Sequence, residues 1–321
     1  MELYVGVDVS KMSLDLHINN KDYKVENSEN GIKEFIQILY GQKKEGYTIK
    51  LIICEATGGY ERLLVNMFLA AKFPIHVVHA AKVRYFAKAC GKFAKTDKID
   101  AKLLSEFASV FKPSPDSISL TPELGVLRSL LLRRKQLIAE KVRENNRLDK
   151  HILAVLRGSI EKHSKWLTKE IDKVEALIRQ QVQKHENIKA TVKLLTSIPG
   201  IGILTAVALL TELPELGQIG SKQLAALVGV APLNQDSGKK SGKRYTNGGR
   251  SAIRRDLYMA AIVSIRCNPD MKAFYKRLRS KGKAAKVAII AVIRKLLILL
   301  NDVAHRKTPW ENRGGVLQAI A

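Results

Sequence analysis

The chain has 321 residues, of which 55 are Lys or Arg and 30 are Asp or Glu, giving a formal charge of +25 at pH 7. This length allows two or three domains, each with its own core. The positive excess favours a polyanionic partner, DNA or RNA, over a membrane surface. Three cysteines without CxxC spacing argue against a disulfide framework or a structural zinc site, and predict a reducing cytoplasm.

Residues 1–110 alternate between strand and helix patterns, and the N-terminus begins directly on a strand pattern, so we expect no signal peptide. The predicted strands are Tyr4–Asp8, Leu14–Ile18, Lys21–Val25, Lys50–Cys54 and Ile75–His79, and the predicted helices are Gly31–Leu39 and Arg62–Ala70. This order predicts a central sheet, antiparallel in its first strands and flanked by helices. A loop rich in Pro and Ser, KPSPDS at 112–117, predicts the end of this region.

Four carboxylates occupy positions suited to a metal-dependent nuclease. Asp8 ends the first strand, Glu55 follows a later one, and Asp97 and Asp100 lie three residues apart on a predicted helix. Residues at i and i+3 point the same way on a helix. Two metal ions held about 4 Å apart can stabilise both the attacking and the leaving oxygen of a phosphodiester. The four acids together therefore predict catalysis on nucleic acid.

Each acid also has a simpler explanation. Asp8 could be a turn residue, Glu55 a helix cap, and Asp97 an acid favoured by the positive end of a helix dipole. It is the combination of all four that favours catalysis. The neighbouring Lys95 and Lys98 are then natural partners for a phosphate.

Two long amphipathic helices are predicted next. Thr121 followed by Pro122 is a typical helix start. Apolar residues then recur at helical spacing at Leu127, Leu131, Ile138, Val142, Ile152 and Val155, and again after Gly158 at Leu167, Ile171, Val174, Ile178 and Val182. Such helices form an antiparallel hairpin or an intermolecular coiled coil. A packing or dimerisation scaffold is the simpler role, and direct contact with nucleic acid is the alternative.

The segment IPGIG at 198–202 lies between two helical patterns, as in a helix-hairpin-helix. Glycines at such a turn let backbone amides approach a phosphate at a helix N-terminus. A plain tight turn is the alternative. Further on, the longest apolar run, Val287–Leu300, contains Arg294 and Lys295 and predicts a core helix rather than a membrane span.

Residues 236–286 form a strongly basic, serine-bearing segment with fifteen Lys or Arg against three Asp. Its first part, Asp236–Arg250, is polar and rich in glycine, which predicts an exposed loop. Arginine forks can clamp a scissile phosphate while a serine hydroxyl attacks it and forms a phosphoserine. The alternative is a DNA-coating loop in which Ser237 and Ser241 serve flexibility. The candidate nucleic-acid ligands here are Lys239, Lys240, Lys243, Arg244, Arg250, Arg254 and Arg255, the last two on a helix whose apolar face includes Leu257, Ala261 and Val263.

Six ordered motifs resemble one family over essentially the whole chain: the DEDD transposases of bacterial and archaeal insertion sequences, related to Piv-type DNA invertases and known as bridge-RNA-guided recombinases. The motifs are GVDVSK at 6–11, EATGGYER at 55–62, KTDKIDAKLLSEF at 95–107, IPGIG at 198–202, LAALVGVAP at 224–232 and DSGKKSGKRYTNGGRSAIRRDLYMAA at 236–261. No single motif would be specific, whereas the ordered set is.

The resemblance implies an α/β plus all-α fold. A RuvC-like (RNase H-like) domain is expected at 1–112, a helical coiled-coil region at 121–188, and a small helical C-terminal transposase domain with the helix-hairpin-helix and the serine loop at 189–321. By resemblance the acidic quartet falls on Asp8, Glu55, Asp97 and Asp100. The nucleophilic serine falls on Ser237, because Ser241 fits the spacing to the arginine pair less well.

The resemblance also implies partners and a cofactor. Mg²⁺, with Mn²⁺ as an alternative, is expected at the quartet. Donor and target DNA, a structured bridge RNA and a homodimer that assembles to a homotetramer are the expected partners, in a bacterial or archaeal cytoplasm at the nucleoid and without a membrane. The alternatives are a RuvC-like junction endonuclease that uses a metal-activated water, a Piv-type invertase, and a binding protein without enzymatic activity.

Overall fold

The computed structural model describes residues 1–92, 97–115, 121–148, 153–234, 242 and 244–311, without the side chains of residues 97–99 and 154. By its contacts the chain divides into two compact units, Met1–Ser119 and Leu120–Ala321. The division of the second part into a coiled-coil region and a C-terminal domain stays a prediction.

A five-stranded sheet forms the centre of the first unit. Its elements are β1 Glu2–Val9, β2 Ser13–Ile18, β3 Lys21–Glu26, α1 Glu29–Lys44, β4 Thr48–Glu55, α2 Arg62–Ala70, β5 Ile75–Val78, α3 Ala80–Ala89 and α4 Asp97–Phe111. The strand order is β3-β2-β1-β4-β5. The β1–β2 and β2–β3 pairs are antiparallel, whereas β1–β4 and β4–β5 are parallel. The predicted sheet with antiparallel first strands is confirmed.

Alternation along the strands builds a separate core on each face of the sheet, because successive side chains point to opposite faces. Val5, Val7 and Val9 of β1 pack with α1 and α2 in one core. The other core contains Leu51 and Ile53 of β4 and is covered by residues of α3 and α4. Sequence reasoning did not predict α3, which buries one residue, Val83.

Helices make up the second unit. They are α5 Pro122–Leu148, α6 Ala154–Lys184, α7 Glu186–Thr196, α8 Ile203–Glu212, α9 Ser221–Val228, α10 Ser251–Cys267, α11 Pro269–Ser280 and α12 Ala285–Arg306. One continuous core draws buried residues from α5 through α12. Helices α5 and α6 run antiparallel, since Arg134 Nε donates to Glu175 Oε1 at 2.7 Å and Ser164 Oγ donates to Asn145 Oδ1 at 3.0 Å. A coiled coil between chains stays a prediction.

Two predicted details in this unit are wrong. Val155 and Gly158 lie inside α6 rather than at the end of the first helix and in the break after it. A helix accepts a solvent-exposed glycine at a cost of about 1 kcal/mol, so Gly158 does not interrupt it. Val263 is 47% exposed, whereas Leu257 and Ala261 are fully buried. It lies two residues from Ala261, which turns it toward the other side of α10.

The long apolar run near the C-terminus behaves as predicted. It lies in α12, which buries Ala288, Val292, Ile293, Leu296, Leu297, Leu299, Leu300 and Val303 in the helical core. In the described part of the chain, no helix is both long enough and apolar enough to cross a bilayer.

Candidate functional site

Asp8 and Glu55 lie side by side near the ends of two neighbouring strands, β1 and β4. In the parallel β1–β4 pair Val7 lies opposite Cys54, so the next residues along are Asp8 and Glu55, on strands about 4.8 Å apart. Val7 and Cys54 belong to the core under α1 and α2. The two carboxylates therefore point to the opposite face, the one covered by α3 and α4. Both are half-buried.

Helix α4 lies directly on β1 at this face. Ser105 Oγ donates to the carbonyl oxygen of Tyr4 at 2.7 Å. A Cβ atom at Gly6 would lie 1.9 Å from the carbonyl oxygen of Ala101 and 2.6 Å from the amide nitrogen of Ser105. Only glycine leaves room for a helix backbone this close to a strand. Gly6 of the GVDVSK motif thus sets the distance between α4 and the strand that carries Asp8.

Helix α4 runs along β1 through these contacts: Gly6 faces the Ala101 carbonyl and the Ser105 amide, and the Ser105 hydroxyl reaches Tyr4. Asp97 begins α4, about one helical turn before Ala101. Asp100, whose side chain is half-buried, follows three residues later. The side chain of Asp97 and the predicted ligands Lys95 and Lys98 lie outside the described residues.

A further carboxylate on this face was missed by sequence reasoning. Asp15 of β2 is the antiparallel partner of Asp8, so the two side chains share a face, where like charges directly opposite are unfavourable. Lys24 on β3 offsets the charge, with Nζ 3.3 Å from Asp15 Oδ1. The signal was available in the sequence: Leu14, Leu16 and Ile18 alternate with Asp15, and a short antiparallel connection sets Asp15 opposite Asp8.

Glu61, also missed, organises the loop that follows Glu55. Its Oε2 accepts hydrogen bonds from the amides of Thr57 at 3.2 Å and Gly59 at 2.8 Å, and from the Thr57 hydroxyl at 2.9 Å. Partial burial opposes ionisation, but hydrogen bonds from the Glu61 and Gly59 amides and from Thr57 outweigh it and lower the pKa of Glu61. Within the EATGGYER motif, the carboxylate of Glu61 therefore holds the loop that follows Glu55.

The acids of this face fit a hard cation by their chemistry, since carboxylate oxygens are the ligands that Mg²⁺ and Mn²⁺ prefer. Among the residues whose side chains are described, no three His, Cys, Asp or Glu lie together in a way that could hold a metal ion. Asp8, Glu55 and Asp100 are in that described set, whereas Asp97 is not.

The residues that flank the serine-bearing segment lie next to each other in the second unit. Leu233 and Tyr245 form an isolated antiparallel bridge: the Leu233 amide donates to the Tyr245 carbonyl at 2.7 Å, and the Tyr245 amide to the Leu233 carbonyl at 3.3 Å. The intervening candidates, Ser237, Ser241, Lys239, Lys240 and Lys243, lie outside the described residues.

The four predicted arginine ligands divide into two groups. Arg244 and Arg255 are exposed. Arg250 instead forms a bidentate pair with Glu215, with both N–O distances 2.7 Å, and donates to the carbonyl of Glu212 at 2.9 Å. Arg254 Nη1 donates to the carbonyls of Val228 at 3.1 Å, Gly229 at 3.2 Å and Gly248.

The IPGIG turn joins α7 to α8 against α10. Gly200 has φ of +100°, and a Cβ there would lie 2.0 Å from Ser264 Oγ, which itself donates to the Pro199 carbonyl at 3.0 Å. Gly200 is thus required for packing. Gly202, the N-cap of α8, has open space around it. The phosphate-binding role of this turn stays a prediction.

Comparisons with known proteins agree with the motifs. The DEDD transposase family of the IS110 type matches residues 5–156, and the transposase IS116/IS110/IS902 family matches residues 192–276. The pilin gene-inverting protein of Moraxella bovis is 29% identical over 97% of this chain and 98% of its own length, and that of Moraxella lacunata is equally similar. An insertion element IS900 protein of Mycobacterium paratuberculosis is 29% identical over 46% of this chain and 37% of its own length.

The fold, the acidic face and these matches define a transposase or site-specific invertase, an enzyme that cleaves and rejoins DNA. The chain belongs to the IS110/IS116 family of transposases, as the resemblance implied.

Proposed function

We propose that this transposase cuts and rejoins DNA through a phosphoserine at Ser237, with a divalent cation held by Asp8, Glu55, Asp97 and Asp100. One observation carries the proposal. Strand register puts Asp8 and Glu55 side by side, and α4 packs on that face through Gly6. These contacts support a site to which three separate motifs would contribute acids.

Mg²⁺ is the proposed cation, with Mn²⁺ as an alternative, because both prefer oxygen ligands. Bound at the quartet, it would supply positive charge to offset the negative charge that develops on a reacting phosphate. The protein's own part is to aim the carboxylates. The strands set Asp8 and Glu55, and the close contact of α4 with Gly6 sets the depth of the helix that bears the other two acids.

The proposed covalent step conserves the phosphodiester bond energy. Ser237 Oγ attacks phosphorus and loses its proton to solvent, while one bridging ester oxygen of the DNA leaves and takes up a proton as a hydroxyl. The protein–DNA ester is then attacked by the hydroxyl of another strand, which releases serine and rejoins the DNA. Exposed Arg244 and Arg255 are suited to contact phosphates, as are Lys95, Lys98, Lys239, Lys240 and Lys243.

We further propose that a structured bridge RNA pairs with donor and target DNA. Two homodimers would form the active tetramer, which would act in the cytoplasm at the nucleoid. A net charge of +25 suits a protein that gathers several nucleic-acid strands. The predicted helix-hairpin-helix at IPGIG would contribute further backbone contacts to phosphates.

DNA inversion is a second candidate outcome. It is favoured by the two pilin gene-inverting proteins, which this chain matches over nearly its full length. A RuvC-like junction endonuclease is the alternative chemistry, because it needs the same acids and no serine. The two chemistries differ in whether protein becomes bonded to DNA.

A trapped-adduct experiment tests the proposal. The protein is expressed with the DNA that flanks its gene, supplied with labelled donor and target duplexes and Mg²⁺, and separated under denaturing conditions. We expect a protein–DNA band that is lost in Ser237→Ala and kept in the matched control Ser241→Ala. Nicked DNA without a band, unchanged by Ser237→Ala, would establish the hydrolytic chemistry instead.

A further inference from the structure

The two ends of the segment that carries Ser237 are held together by more than the Leu233–Tyr245 bridge. Beyond the bridge, the chain on each side runs into a group of three glycines, Gly229, Gly248 and Gly249, all with positive φ between +66° and +77°. A Cβ at Gly229 would lie 2.1 Å from the Gly248 carbonyl oxygen, and one at Gly249 would lie 2.3 Å from the Gly229 amide nitrogen. The two backbones therefore touch, with no room for a side chain.

Arg254 joins these two backbones. Its Nη1 donates to the carbonyls of Val228 and Gly229, at 3.1 and 3.2 Å, and to that of Gly248 across the gap. Val228 ends α9 and Gly229 is its C-cap. Carbonyls at a helix C-terminus lack partners within the helix and carry partial negative charge, so a guanidinium is well suited to this position.

The neighbouring side chains distinguish this role from phosphate binding. Arg250, four residues earlier on the same side of α10, is held by Glu215, and its amide donates to the Leu227 carbonyl at 2.9 Å. Arg255 is next in sequence, about 100° further around the helix, and is exposed. Of the adjacent pair, Arg254 thus hydrogen-bonds to the protein's own backbone, whereas Arg255 is exposed to solvent.

We propose that Arg254 is a positioning residue: it fixes the two ends of the Ser237 segment against each other, and the contact at Gly229 is the other half of this clamp. The inference rests on the proposed function, because it takes Ser237 as the nucleophile. It assigns Arg254 to holding the nucleophile's segment rather than to the scissile phosphate.

A matched pair of glycine substitutions tests the clamp without changing any charge. Gly229→Ala and Gly248→Ala both force alanine into a positive φ, +77° and +70°, but only the first puts a Cβ against the clamp, at 2.2 Å from Arg254 Nη1; at Gly248 no atom lies within 4 Å. We expect Gly229→Ala to slow phosphoserine formation at saturating DNA by about 100-fold, because a displacement near 1 Å costs that much. Gly248→Ala should form the adduct at least about tenfold faster than Gly229→Ala. Equal rates in the two variants would overturn the proposal.

The arginine pair supplies a readout that needs no catalysis. Trypsin cleavage at the Lys and Arg residues of 239–244 should be several-fold faster in Arg254→Ala than in the wild type, and unchanged in Arg255→Ala, while cleavage elsewhere stays the same. Faster cleavage throughout Arg254→Ala would mean general unfolding and would count against a local clamp. Unchanged cleavage at 239–244 would overturn it.

Salt dependence of DNA binding separates the clamp from a phosphate contact. Each phosphate contact to duplex DNA contributes about 0.9 to the slope of log affinity against log salt. We expect Arg254→Ala to keep the wild-type slope and Arg255→Ala to lose about 0.9. A loss of about 0.9 in Arg254→Ala would overturn the positioning role. If the wild-type protein forms no adduct, the proposed function fails, whereas the trypsin and salt measurements still decide the clamp.

Discussion

The two units hold their candidate catalytic residues by different means. In the first unit, regular secondary structure aims the acids: Asp8 and Glu55 leave adjacent strands in register, and α4 is pressed onto β1 at Gly6. In the second unit, the candidate nucleophile lies in a segment between α9 and α10, and its ends are joined by side-chain and loop contacts, chiefly those of Arg254.

This difference indicates which substitutions should disrupt the candidate site in each unit. An acid on a strand end keeps its position if its own carboxylate is changed, because backbone pairing and core packing place it. A segment held by a few polar contacts loses its position when one donor is removed. Substitution at the first site should therefore separate chemistry from folding, whereas the second site combines positioning with local structure.

The largest effect is expected for Asp8→Asn. The amide has nearly the same shape as the carboxylate but lacks its charge, so the strand stays paired while the proposed metal site loses a ligand. Several kcal/mol of transition-state stabilisation correspond to a loss of at least about 100-fold in strand exchange. The measurement is the recombination rate alongside DNA and RNA affinity, which we expect to stay nearly unchanged.

Glu34→Gln provides the control for Asp8→Asn. It makes the same carboxylate-to-amide change at an exposed position of α1, the helix that packs on the other face of the sheet. Recombination by this variant should match the wild type. A large loss of RNA binding in Asp8→Asn would contradict a purely catalytic role for Asp8.

A second prediction breaks the contact that positions α4. Gly6→Ala puts a Cβ 1.9 Å from the Ala101 carbonyl oxygen, where backbone rather than a flexible side chain must move. We expect a loss of about 1–3 kcal/mol in the free energy of unfolding, the usual cost of overpacking, together with lost recombination. Denaturant titration measures the first quantity.

Gly41→Ala is the control for Gly6→Ala. Gly41 lies inside α1 and a Cβ there would meet no atom within 4 Å. Alanine in a helix interior is favoured over glycine by about 0.5–1 kcal/mol, so this variant should be slightly more stable than the wild type. Equal destabilisation by both substitutions would contradict the special role of Gly6.

Much of the first unit was predictable from the sequence, because its signals are local. The period-two pattern around Asp8 and the apolar run before Glu55 define strands, and the i, i+3 spacing of Asp97 and Asp100 defines a helix face. That the four acids converge on one catalytic site stays a prediction. The packing of Gly6 on Ala101 was not predictable, since it depends on two backbones far apart in sequence.

Less of the second unit's site was predictable, because the same side chain serves different purposes. Arg250, Arg254 and Arg255 look alike in the sequence as candidate phosphate ligands. Their helix positions give them different contacts: Arg250 reaches Glu215, Arg254 reaches the C-terminus of α9, and Arg255 is exposed. Whether an arginine binds substrate or its own backbone depends on tertiary contacts that no spacing encodes.

The smallest effect on the free energy of unfolding is expected for substitution of Glu61. Glu61 extends the comparison because it holds a loop of the first unit, Thr57–Gly59, by polar contacts. Since folding lowers the pKa of Glu61, its carboxylate stabilises the fold above the ordinary carboxyl pKa. This contribution is lost as the pH falls through the lowered value. Glu61→Gln should cost about 1 kcal/mol at neutral pH and progressively less in acid.

The amide proton of Gly59 reports this titration directly, because it donates to Glu61 Oε2 at 2.8 Å. Its NMR shift should follow a pKa below the ordinary carboxyl value in the wild type, and the transition should vanish in Glu61→Gln. A Gly59 shift that still titrates in the variant would contradict the assignment. Lowering the pH through this transition should therefore weaken the hydrogen bonds that Glu61 accepts and release the Thr57–Gly59 loop.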